Sequence, residues 1–314
     1  MRVKFSRKNR KIFKGEKMLA PIVEIFCEAD DFCKEYFKEI KNNILPNPNR
    51  KRHRKARMHL SEIMTIVILF HLSHYRTFKD FYRECVIRHW RKYFPNLVSY
   101  NRFVELQSSI IAVLVAYLLS RSGKKTDLYY IDSSPIKVCH NRRIYKHKVF
   151  AGIATRGKHS MGWFFGFKLH LVINHKGELM SFCFTKGNVD DRKVMEKLLK
   201  NLKGLVAGDK GYLSKEKSDS LAKQGLKLVT RVRKNMKEKV LTLFEKFFLS
   251  KRGIVETVIE QLKSICQIEH TRYRSPFNFI SNLVAALAAY VLRPRKPSFK
   301  FNKLTCNKWA LMSN

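Results

Sequence analysis

The chain has 314 residues, with 64 Lys and Arg against 25 Asp and Glu, a formal net charge of +39 at pH 7 and 45% apolar residues. That apolar share supplies a buried core and excludes disorder of the whole chain, and domains of roughly 100 to 200 residues predict two of them. The charge is out of line with most metabolic enzymes and predicts a polyanionic partner, nucleic acid ahead of an acidic membrane surface.

The apolar runs Ile63 to Phe70, Ile110 to Leu119 and Phe279 to Leu292 fall short of the roughly 18 to 20 residues that span a bilayer and read as core helices. The basic stretch Met1 to Lys17 is followed by no apolar signal core, so the expected location is the cytoplasm, with no membrane partner. Seven scattered cysteines form no C-x-x-C pair, and His71 and His74 lack matching ligands, so no zinc site is expected.

In chain order, apolar residues at three- and four-residue spacing predict a helix over Ala20 to Asn42. A loop at Pro46 and Pro48 and the basic run Lys51 to Arg57 follow, then a helix over Ile63 to Leu72 that Ser61 can cap. Thr77 and Ser99 can cap two more, and a helix from Asn101 to about Arg121 closes a small all-α bundle. After Lys125 the pattern changes to β-rich runs: Leu128 to Asp132, Trp163 to Asn174, Glu178 to Lys186, Leu205 to Asp209 and Lys227 to Val232. His175-Lys176-Gly177 is a tight turn that makes the second and third runs a hairpin, and helices are expected over Arg192 to Leu202 and Ser250 to Ile268. The expected division is 1–50 tail and helical segment, 51–124 helical domain, 125–293 mixed α/β domain and 294–314 basic tail.

Two of the predicted strands end on an acid, Asp132 and Asp209. A strand-terminal Asp often does no more than cap the next turn. Gly208 and Gly211 beside Asp209 point instead to a backbone that something large approaches closely. A third acid lies on the stretch Arg252 to Lys263, where Arg252, Glu256, Glu260 and Lys263 share a face beside the apolar stripe. That face also reads as a surface ladder of i,i+4 pairs, each worth tenths of a kcal/mol, and Glu260 rivals Glu256 as the third acid. Three carboxylates in a basic protein suit a pair of Mg²⁺ or Mn²⁺ ions acting at phosphorus. No G-x-x-x-x-G-K-[ST] loop occurs, so no nucleotide is expected.

The stretches Tyr130 to Cys139, Met161 to His170, Gly187 to Arg192, Ala207 to Tyr212 and the Arg252 to Lys263 helix together resemble the DDE transposases of bacterial insertion sequences, most closely the nine-eighty-two family. The resemblance implies a ribonuclease-H-like mixed-sheet catalytic domain, preceded by the all-α bundle as a DNA-binding domain. It implies Asp132, Asp209 and Glu256 as catalytic metal ligands, with Arg252 and Lys263 completing the signature around the third acid. It further implies two metal ions, DNA cleavage followed by strand transfer, and a dimer or larger assembly holding both element ends. Asp190 and Asp191 are expected in a supporting or capping role.

Between Asp132 and Trp163 the chain carries Lys137, Arg142, Arg143, Lys146, Lys148, Arg156 and Lys158 without an acid, which suits a DNA backbone better than a merely solvated face. Lys210 and Tyr212 beside the second acid join the expected DNA contacts, with Arg231, Arg233 and Lys234 on the other side. Arg54 and Arg57 are the candidates for reading terminal inverted repeats from the amino-terminal bundle. A nuclease of the same fold without joining activity, and a non-catalytic nucleic-acid-binding protein, are the competing readings.

Overall fold

The computed structural model describes residues 19–41, 56–160, 162–231, 241–269 and 274–299. Arg54, Arg233, Lys234 and most of both basic tails lie outside the described residues. Packing divides the chain into two units, one of Met1–Arg121 with Leu262–Pro294, the other of Ser122–Gln261 with Arg295–Asn314.

The first unit is helical. Helix α1 (Leu19–Lys41) buries Ile22, Ile25, Ala29 and Cys33, one stripe at helical spacing, and packs on α2 (Leu60–Leu72). Every residue of α2 from Ser61 to His71 is buried, as a helix enclosed on all sides requires. Its cap is not the expected Ser61 but His59, whose backbone N–H donates to Glu62 Oε2 at 2.6 Å. Ser61 lies within the first turn and donates to Asp30 Oδ1 at 2.8 Å, which ties α2 to α1 instead. Thr77 caps α3 (Phe78–Asp80), which runs on into a π-helical stretch, Phe81–Ile87, and Ser99 caps α4 (Tyr100–Leu106).

A 3₁₀ turn, Gln107–Ile110, joins α4 to α5 (Ile111–Ser120). The whole helical stretch Tyr100–Ser120 has 21 residues and a mean hydropathy of 1.8, long and apolar enough by length and composition to cross a membrane. Within the unit, however, α5 packs against a helix from the far end of the chain, α10 (Pro276–Leu292). That helix buries every residue from Ser281 to Tyr290, and α2 and α5 supply the apolar surface that covers it. The expected second domain, 125–293, therefore differs from the packing division, because its last helix is too apolar to stand anywhere but inside the bundle.

The second unit is built on six strands: β1 (Leu128–Cys139), β2 (Thr155–His159), β3 (Gly162–Asn174), β4 (Leu179–Lys186), β5 (Gly204–Ala207) and β6 (Leu226–Val229). The order is β2-β3-β1-β5-β6, with β4 also on β3. Strand β3 is antiparallel to β1, β2 and β4, whereas β5 lies parallel to both β1 and β6. Strands β2 and β4 take successive lengths of β3, Gly162 to Gly166 and Phe167 to Ile173. Bulges at Lys137/Cys139 and Val172/Ile173 interrupt the two long ladders and curl the sheet. This mixed α/β unit is consistent with the expected ribonuclease-H-like fold.

Tyr129, Ile131, Val172 and Val206 face a core completed by α6 (Arg192–Leu198) and α7 (Lys215–Lys223). Alternation sends Tyr130 and Asp132 to the opposite face, where Tyr130 stacks on Phe248 of α8 (Leu243–Ser250) with ring centroids 4.7 Å apart. Helix α9 (Gly253–Ser264) follows directly. The expected helix from Ser250 to Ile268 is thus shorter at both ends, and a separate helix, α8, precedes it across Lys251 and Arg252.

Candidate active site

Asp132 sits in the middle of β1, half-buried, with its Oδ1 accepting the Ser133 N–H at 2.9 Å. Strand β1 does not end on this acid, as the sequence suggested, but runs seven residues further, to Cys139. Asp209 follows β5 and caps the 3₁₀ turn Lys210–Tyr212, its Oδ1 accepting the Lys210 N–H at 2.7 Å. The capping reading of this acid is therefore true of its local structure, and leaves most of the carboxylate facing solvent at 58% exposure.

Glu256 projects from the first turns of α9, and Arg252, one turn before it, connects the two outer acids. One guanidinium nitrogen donates to Glu256 Oε1 at 2.7 Å and the other lies 3.6 Å from Asp209 Oδ1. The i,i+4 pair expected of a surface ladder is present, but the same arginine also reaches a carboxylate on another element. Burial pushes the Asp132 carboxyl up to about 6, with Glu256 and Asp209 adding to the rise and Arg252 and the Ser133 N–H opposing it. The three acids thus act on one another electrostatically, and Arg252 is the cation among them. Lys263, seven residues beyond Glu256, pairs with Glu269 at 3.0 Å and falls past the division between the units.

Beneath Asp132 lies a polar cluster that the sequence only half revealed. Ser133 Oγ donates to Asp191 Oδ2 at 2.7 Å, and Lys168 Nζ donates to Asp191 Oδ1 at 2.9 Å and to the Val189 carbonyl at 2.9 Å. His170, directly across the ladder from Ser133, shares a hydrogen bond of 2.8 Å with Thr185. Asp191 thus supports the strand that carries Asp132, while Asp190 turns away to Arg192, which holds its carboxyl down to about 2. Lys168 and His170 were not anticipated. Their signal is their alternation with Phe167, Leu169 and Leu171 on an otherwise apolar strand.

Of the expected DNA contacts, Lys137, Arg142, Arg143 and Lys210 are exposed, as is Arg57 of the helical unit. Tyr212 is not a surface residue: it is 1% exposed, packed in the core with Tyr129 and Ile131, and its ring cannot meet DNA. Near these cations in the sequence, Tyr145 is 94% and Trp163 56% exposed, with the charges of Arg156 and Lys158 5.7 and 5.9 Å from the Trp163 ring. Beside the acids a cavity of about 480 Å³ is lined by Asp132, Asp209, Asp191, Lys158 and Lys168.

Residues 122–276, just under half of the chain, match the family described as the transposase DDE domain. Of that segment, 122–261 lies in the unit that holds Asp132, Asp209 and Glu256, and 262–276 belongs to the helical unit. A search of curated proteins gives no match. Among solved structures the chain is similar to a piggyBac transposase in a synaptic complex with hairpin DNA, at 10% identity, over 98% of this chain and 82% of that one, with a TM-score of 0.45, too loose a likeness to argue from.

Among the described residues no three His, Cys, Asp or Glu side chains stand close enough together to form a metal-binding group. The donor chemistry nevertheless suits a hard divalent cation. Asp132, Asp209 and Glu256 supply carboxylate oxygens that act on one another electrostatically, and the charge on Asp132 is disfavoured where it stands.

Proposed function

We propose that this protein is the transposase of a bacterial insertion sequence, most closely of the nine-eighty-two family, which binds the terminal inverted repeats of its element, cuts there and joins the freed ends to target DNA. The observation that supports the proposal is the electrostatic interaction of Asp132 with Asp209, Glu256 and Arg252, the arginine pairing with the other two acids, in a segment that matches the transposase DDE domain. Asp132, Asp209 and Glu256 would hold two Mg²⁺ or Mn²⁺ ions, whose chemistry there would be activation of the attacking oxygen and charge stabilisation on the leaving oxygen at phosphorus. Arg252 neutralises two of the acids and is placed to turn to a phosphate of the scissile strand. Lys168, Asp191 and Ser133 hold the segment of β1 that presents Asp132.

The exposed cations Lys137, Arg142, Arg143 and Lys210 hold the DNA backbone beside the acids, and Arg57 does so from the helical unit together with Arg54, which lies outside the described residues. Two ends must be cut and joined, so the working form is a dimer or larger assembly on DNA, in the bacterial cytoplasm. The test is a cleavage and strand-transfer assay with Mg²⁺ on the DNA flanking the gene, wild type beside Glu256→Gln. Joined products that vanish in the variant support the proposal. Cutting without joining of pre-cleaved ends reduces it to a nuclease, and binding without metal-dependent cutting removes the catalytic reading.

A further inference from the structure

The helical unit holds a cavity of about 660 Å³ that the carboxylate site does not use. Its lining comes from α3 and the π-helical stretch after it, from α4 and from the start of α10. Three cations line it, Lys79, Arg83 and Arg274, and no Asp or Glu does. An electropositive recess of this kind takes an anion. Its walls are too apolar for a bare phosphate to be the whole ligand, because Tyr100 forms part of them and the Arg83 guanidinium lies 5.9 Å from the centre of that ring. A tyrosine and a guanidinium are the two surfaces on which a nucleobase stacks.

Asn282, 2% exposed, also lines the cavity, but its amide is no spare donor: the side chain hydrogen-bonds His71, whose Nδ1 donates to the Cys266 carbonyl and whose Nε2 is left to accept. One turn earlier on the same helix the Asn278 amide nitrogen donates to the Val104 carbonyl at 3.0 Å. Both amides are engaged within the bundle, so what the recess offers a ligand is its three cations and its aromatic wall.

We infer that this cavity binds a single unpaired nucleotide of a DNA strand, its base on Tyr100 and Arg83 and its phosphate on Lys79 and Arg274. The inference concerns binding alone and does not rest on the carboxylates, so it stands or falls separately from the proposed cleavage. A cavity of this size lies within the roughly 300 to 1,000 Å³ of ordinary ligand sites, which a nucleotide fits and a duplex does not.

The test uses the full-length protein without metal, and duplexes of one sequence that carry either a one-nucleotide bulge or the same bulge with an abasic sugar. Fluorescence anisotropy reads the affinities. The base should tighten binding roughly five- to a hundred-fold over the abasic control, the range of one base–aromatic stack. Tyr100→Leu should abolish that ratio and Tyr100→Phe should keep it, with thermal melting of both variants confirming the fold. Arg274→Ser, at an exposed position, should weaken both bulged duplexes.

Equal binding of base and abasic bulges by wild type would overturn the inference, as would a ratio that survives Tyr100→Leu. A free deoxynucleoside monophosphate offered as competitor separates the two sources of this chemistry. If it displaces the bulge at micromolar concentration with no help from flanking DNA, the site serves free nucleotides and the strand-bound reading is wrong.

Discussion

At the scale of single residues, Asp132 and Arg252 can be tested for work that stability does not explain. Asp132 has its carboxyl raised from an ordinary 3.8 to about 6, so the folded protein prefers it protonated. The consequence for stability has a fixed sign: no penalty exists below about pH 4, it grows as pH rises towards 6, and it is complete above. Asp132→Asn removes it. Without metal at pH 8 the variant should be more stable than wild type by about 1–3 kcal/mol, and at pH 4 the two should melt together. The same variant should bind DNA and fail to cut it. A variant that cuts would take Asp132 out of the reaction; one that melts below wild type at pH 8 would show that its charge is not disfavoured. Arg252 gives the converse case. Its contacts are largely exposed, so Arg252→Gln should change stability by less than about 1 kcal/mol. Cleavage should nevertheless fall at least about tenfold if the guanidinium meets a phosphate in the transition state.

At the scale of elements, the hairpin of β3 and β4 was legible because its apolar residues alternate and Gly177 sits in the turn with φ of 66°, a conformation that glycine adopts freely. Strand β2 was not legible. Its residues Thr155-Arg156-Gly157-Lys158-His159 contain no large apolar side chain, and only pairing with β3 makes them a strand. The extension of β1 beyond Asp132 was missed for a related reason: the run Ser133-Ser134-Pro135 reads as a stop, yet Pro135 is accommodated opposite Lys168. The positions of the three acids could be read from the sequence, whereas Arg252 reaching two of them, and Asp191 reaching Lys168 and Ser133, could not. Those contacts join residues from elements whose packing no local pattern specifies. Close backbone approach also sets the ladders. A Cβ at Gly157 would stand 2.2 Å from the Gly187 carbonyl oxygen and 2.7 Å from the Phe164 ring. Gly157→Ala should therefore cost about 1–3 kcal/mol and loosen β2 with its cations. Unchanged melting would mean that the loop after β4 yields freely.

At the scale of the whole molecule, a charge of +39 makes attraction to DNA general, so affinity alone says little about the site. The dependence on salt says more: each phosphate contact removed should lessen the slope of log affinity against log salt by about 0.9. Replacing exposed Arg142, Arg143 and Lys146 by Ser should thus lessen it by about 2 to 3, and an unchanged slope would return that loop to a solvated face.

Acidity probes both units together. His71, in the helical unit, donates a 2.6 Å hydrogen bond from Nδ1 to the Cys266 carbonyl, and burial holds its ring down to about 4. His170, in the sheet, is held down to about 4 as well, chiefly by burial, with Lys168 adding to it and Asp191 opposing. Both are neutral when folded, whereas the unfolded chain takes up protons at about 6.5. The stability they contribute is present above pH 6.5 and is lost as pH falls towards 4, up to about 3 kcal/mol for each. Asp132 works the other way across the same window, since its protonation relieves a penalty, and it offsets the loss of one histidine only. The protein should therefore lose stability between pH 6.5 and 4.5, before most carboxylates titrate. His71→Gln should remove most of that slope, since Asp132 then offsets His170, even where it lowers the melting temperature at pH 7. A slope unchanged in the variant would mean that the His71 ring takes up its proton without opening the bundle.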